Sequence, residues 1–78
     1  MSETTPTQEL DARRLTGAQL TGRAAAALRS LASGDVLKVV ATDPGSVKDF
    51  EAFSKQTGNE LMEAKEEGGK FHFLIKKA

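Results

Sequence analysis

Apolar residues recur along this chain at three- and four-residue steps in two stretches and at two-residue steps in four others, and the switches between the two rhythms divide it into six elements. Glu9-Leu10-Asp11-Ala12-Arg13 alternates briefly and predicts a short first strand. From Thr16 to Ser33, Leu20, Ala24, Ala27, Leu28 and Leu31 fall on one helical face, with Arg23, Ala26, Arg29 and Ser30 toward the other. Gly17 and Gly22 weaken the start of this helix, so either Thr16 or Thr21 serves as its cap, and Gly34 is its expected stop. Val36–Thr42 predicts the second strand, with Leu37, Val39 and Ala41 on one side and Val36, Lys38 and Val40 on the other.

Asp43-Pro44-Gly45 reads as a turn and Ser46 as the cap of a second helix, with Asp49 three positions on. Val47, Phe50, Phe53 and Thr57 share the inner side of that helix, and Gly58 ends it. Leu61–Glu66 and Lys70–Lys77 are strands about Gly68-Gly69, a pair suited to a tight hairpin because both turn positions tolerate positive φ. The last strand alternates Phe71, Phe73 and Ile75 with His72, Leu74 and Lys76. The expected order is β-α-β-α-β-β. With right-handed crossovers this is an α+β fold, a two-layer α/β sandwich with a four-stranded mixed sheet and both helices on one face. Val36, Val40 and Leu74 are then expected on the bare face of the sheet.

Seventy-eight residues make one small domain, expected over residues 9–78 after a frayed polar tail from Met1 to Gln8. Eleven basic and eleven acidic residues cancel, which argues against a nonspecific nucleic-acid binder. No apolar run is long enough to span a membrane and the amino-terminal stretch has no secretion-signal pattern, so a soluble cytoplasmic protein is expected, as a monomer or weak homodimer. There is no cysteine, and His72 is the lone histidine, so neither disulfide nor metal is expected and no cofactor is implied.

From Gly34 onward the chain resembles the TusA/SirA sulfur-carrier family closely. Gly34-Asp35, Asp43-Pro44, Asp49, Gly58 and Phe73-Leu74-Ile75-Lys76 all match, and the resemblance spans about residues 9 to 77. The family opens with a pattern close to L-D-x-R-G-L-x-C-P-x-P. Here Leu10, Asp11, Arg13 and Leu15 match it, while Arg14 stands at the glycine, Gly17 at the persulfide-carrying cysteine, and Ala18 and Leu20 at the two prolines. Ser54 stands where several relatives carry a second cysteine. The family chemistry needs a thiolate, which a helix N-terminus activates and a proline in the first turn positions. The catalytic position is therefore vacant, and the resemblance implies either a thiol-free paralogue or an altered carrier whose parent transfers persulfide sulfur in sulfur metabolism or tRNA thiolation.

With the thiol gone, a retained docking surface is the leading expectation. The resemblance implies sulfur-relay partners such as a cysteine desulfurase, a rhodanese or another sulfur-transfer protein, which family members meet at this end of the fold. Arg13, Arg14, Thr16, Gly17, Ala18, Gln19, Arg23 and Asp43 are the candidate contact residues. Each also has a plain structural reading: Gly17 as a loop entering a helix, the arginines with Arg29 as a solvated face, Asp43 as a turn former. RNA or anion binding by the arginines is a weaker reading, because no tyrosine or tryptophan accompanies them for base stacking. Lys76 and Lys77 are expected to keep the last strand soluble.

Overall fold

A computed structural model describes residues 6–78. The order is β1 (Gln8–Ala12), α1 (Gly17–Arg29), β2 (Val36–Ala41), α2 (Ser46–Thr57), β3 (Glu60–Glu67) and β4 (Lys70–Lys76). One sheet runs β1-β2-β4-β3, with β1 parallel to β2 and β4 antiparallel to both β2 and β3. Both helices cover one face, and the expected two-layer α+β sandwich is the fold. The first five residues of the expected tail lie outside the described residues. Thr7 is already fixed, its N–H donating to the Val36 carbonyl at 2.7 Å.

The core is the seam between the layers. Leu20, Ala24 and Leu28 from α1 and Phe50 and Phe53 from α2 bury against Ala12, Leu37, Val39, Ala41, Phe73 and Ile75 of the sheet. This is the predicted use of both rhythms. Phe50 is its centre, fully buried, with its ring centroid 4.7 Å from that of Phe73 and 6.0 Å from that of Phe53. Thr57 is not part of this inner side: it is exposed, and its hydroxyl donates to the Phe53 carbonyl at 2.8 Å.

Several boundaries differ from expectation for local reasons. Helix α1 stops at Arg29, not Ser33, because the N–H groups of Ser30 and Leu31 close onto the Ala27 and Leu28 carbonyls. Gly34 instead serves the turn into β2, at φ 91° with its N–H on the Lys77 carbonyl. Thr16, not Thr21, is the N-cap of α1, though its side chain makes no capping bond. At α2 the N-cap is Gly45, and Ser46 is the first helical residue, wholly buried with its hydroxyl unpartnered. Such a hydroxyl costs on the order of 1–3 kcal/mol relative to a satisfied one. Val36 lies on the bare face as expected yet is buried, at 7% exposure.

Lys77 does more than keep a strand soluble. It is half-buried, and its Nζ donates to the Leu31 carbonyl at 2.7 Å and toward the Arg29 carbonyl at 3.5 Å. A cation here satisfies the carbonyls left open by the early end of α1 and meets the negative end of its dipole. Lys77→Met keeps the aliphatic stem and removes the ammonium, so thermal denaturation should show a loss of about 1 kcal/mol. An unchanged midpoint would remove the cap from the account.

Candidate functional site

Strands β1 and β2 run the same way, so their carboxyl ends and the amino ends of both helices lie at one edge of the sheet. The start of β4 arrives at the same edge, because its Phe71 is paired with Ala41, the last residue of β2. This brings Asp11, Arg13, Arg14, Thr42 and Lys70 around one shallow depression. A second depression runs along the first turns of α1, lined by Leu15, Ala18, Gln19, Gly22 and Arg23.

The link from β1 to α1 is a tight turn closed by the Leu15 N–H on the Ala12 carbonyl at 3.2 Å. Turning this sharply puts Arg14 at φ 74°, the left-handed region that a side chain disfavours by roughly 1–2 kcal/mol. The family's glycine at this position has a physical reason, and this chain departs from it. The Arg14 N–H donates to Thr42 Oγ1 at 3.1 Å, tying the turn to the end of β2.

Arg13 is not free. Its Nε and Nη2 donate to Asp11 Oδ1 and Oδ2, both at 2.9 Å, and its backbone N–H reaches Oδ1 at 3.2 Å. Hydrogen bonding from the Arg13 side chain, then from its backbone, holds the Asp11 carboxyl down at about 2, below its ordinary 3.8, with the charges of Arg13 and Lys70 adding to the effect. The same pairing raises the affinity of Arg13 for its proton. Because the folded-state value is the lower one, the contribution of the pair is present above pH 3.8 and is lost as pH falls through about 2. NMR titration of the Asp11 carboxyl carbon should give a midpoint near the lower value, moving back up in Arg13→Gln. A midpoint near 3.8 in the parent chain would mean that the pair does not persist in solution.

Gly17 is exposed and opens α1 at φ 53°; a Cβ added there would meet nothing within 4 Å. Space for a larger side chain is present, but the backbone conformation is a glycine conformation. Asp43 is half-buried and builds its own turn, with Oδ1 accepting the Gly45 N–H at 3.3 Å and its carbonyl the Ser46 N–H at 3.0 Å.

The eight candidate contact residues thus separate. Arg13 and Arg14 share the sheet-edge depression, Ala18, Gln19 and Arg23 line the one along α1, Thr16 and Gly17 open the helix, and Asp43 stands in the turn into α2, lining neither depression. Arg29 ends α1, six residues and about 9 Å along the helix from Arg23, and lines neither depression. Sequence reasoning missed Thr42 and Lys70. The hairpin signal at Gly68-Gly69 fixes the start of β4 at Lys70, but only the β2–β4 pairing carries it to Thr42.

The TusA sulfurtransferase family model matches residues 8–77. The chain belongs to that family. It is 68% identical over 71 residues to the sulfur carrier protein TusA of Allochromatium vinosum, covering 91% of this chain and 93% of that protein. It is also 36% identical over 77 residues to the sulfur carrier protein TusA of Pseudomonas putida, covering 99% and 96%. Within this TusA-family frame the site has backbone donors, cations and hydroxyls but no thiol, since the sequence has no cysteine. Persulfide transfer in this family chemistry requires a sulfur nucleophile, and these groups include none. Among the described residues no group of His, Asp or Glu is placed to hold a metal ion, and no helix is long and apolar enough to cross a membrane.

Proposed function

We propose that this chain is a noncatalytic protein-binding module of a sulfur relay, acting in the cytoplasm. Its partners are cysteine desulfurases, rhodaneses or other sulfur-transfer proteins, and it meets them with the end of the fold formed by Arg13–Arg23 and Asp43. One observation carries the reading: the family match runs through the whole α+β framework from residue 8 to 77, while the cysteine position is occupied by Gly17. A framework kept in full without its nucleophile retains shape and surface, and these are what docking requires.

Pull-downs and surface plasmon resonance with purified desulfurases and rhodaneses test it. Saturable binding that competes with a cysteine-bearing family member is the expected result. Absence of saturable binding to any sulfur-relay protein would reject the module. A second reading, an altered form of a competent carrier, draws on the open space around Gly17. It is separated from the first by restoring the motif.

A further inference from the structure

We propose that the depression between Arg14 and Lys70 is a clasp for the carboxylates of an acidic segment on the protein partner. The inference rests on the docking reading above, which includes Arg14 but neither Lys70 nor the chemistry that the surface recognises.

The charges in the depression decide its sign. Asp11 and Arg13 neutralise one another, with both carboxylate oxygens held by the Arg13 guanidinium. That leaves Arg14 and Lys70, and among the described residues neither side chain has a hydrogen-bond or ion-pair partner within the chain. Asp11 is held by Arg13, and Glu67, opposite Lys70 across the β3–β4 ladder, makes no ion pair with it. Thr42 completes the set. Its Oγ1 accepts the Arg14 N–H, so its own proton is available to donate outward. A planar guanidinium, an ammonium and a hydroxyl around one hollow match a carboxylate, which the guanidinium can take with two parallel bonds.

Arg14 adds an independent observation. It keeps a long cationic side chain at φ 74°, where glycine would be relaxed. Strain of this kind gathers at binding sites, where the side chain contributes something the fold itself does not need. A protein segment fits better than a nucleic acid. Phe50, Phe53 and Phe73 are buried in the core, Phe71 is half-buried against it, and no Tyr or Trp is present to stack on bases. Glu66 and Glu67 stand exposed beside Lys70, and their charge disfavours a long polyanion.

The test uses the full chain and a fluorescein-labelled peptide of alternating Glu and Gly, with a Gln-Gly peptide and oligouridylate as comparisons. The expected result is saturable binding of the Glu peptide alone, weakening with salt, with amide shifts at Arg14, Thr42 and Lys70. Arg14→Gly and Lys70→Gln should each weaken it by about two- to fivefold, and Lys38→Gln should not. Arg14→Gly should also raise the melting temperature, so its loss of binding would not stem from misfolding. Equal binding of the Gln peptide, displacement by oligouridylate, or unchanged affinity in both variants would overturn the clasp. Should a desulfurase or rhodanese bind Arg14→Gly and Lys70→Gln as tightly as the parent, docking would stand and the clasp would fall. Should the Glu peptide bind here while no relay protein is captured, the clasp would stand and the docking reading would fall.

Discussion

Incubated with a cysteine desulfurase under turnover, this chain is expected to gain no sulfur, whereas Gly17→Cys/Ala18→Pro/Leu20→Pro should gain the mass of one sulfur atom. In the restored chain the introduced thiolate attacks the terminal sulfur of the donor persulfide, and the donor's own thiolate leaves as the new S–S bond forms. The geometry argues for three changes together. Gly17→Cys alone leaves a side chain at φ 53° and should cost about 1 kcal/mol. Leu20→Pro alone removes a fully buried core residue and the N–H of the fourth helical residue, which can reach the Thr16 carbonyl.

Ala18→Pro changes both counts. Proline drives the residue before it toward extended backbone, which removes the left-handed demand on position 17. It also suits the first helical position, and the helix start moves on by one. Position 20 then becomes the third helical residue, whose N–H has no partner in the helix in any case. Some of the about 2–5 kcal/mol that truncating a buried Leu costs remains to be borne by the core. A folded triple variant that stays unloaded beside a working donor would reject the altered-carrier reading. A sulfur adduct on the parent chain would overturn the binding-module reading.

The second large effect lies in the core. Phe50→Ala should destabilise the domain by about 3–5 kcal/mol. Phe50 is fully buried and joins α2 to β4 through its contact with Phe73, so the cavity would open where the two layers meet. A domain of 78 residues holds only about 4–12 kcal/mol in all. The variant should therefore lose a large share of its stability. The urea midpoint measures this, and a loss below about 1 kcal/mol would place the centre of the core elsewhere.

The two rhythms alone make the layers legible. Leu20, Ala24 and Leu28 at helical spacing, and Leu37, Val39 and Ala41 at strand spacing, are buried as their periods require. Boundaries were harder wherever a distant group decides them. Helix α1 ends early with Lys77, forty-six residues beyond Leu31, completing its last carbonyls, and no window around Arg29 contains that information. Ser46 carries a cap signature but lies too deep to use it. The candidate site was half legible. The motif located Arg13, Arg14 and Gly17. It gave no sign that Asp11 holds Arg13, nor that β4 enters beside β2 and delivers Lys70, because strand order is a property of the whole sheet.

Among the described residues strand β3 is one rim of the sheet, with no further strand beyond it and nearly every residue facing water. Its sequence, Glu-Leu-Met-Glu-Ala-Lys-Glu-Glu, sets Glu60 against Glu67 when two copies are aligned head to tail about their midpoint. The register shift between Leu61 and Glu63 kinks the ladder at Met62, the one large apolar side chain standing out in solvent among the described residues. Like charges and a kink are how natural sheets refuse a fifth strand. The rim of the sheet is thereby kept from templating sideways growth into fibres.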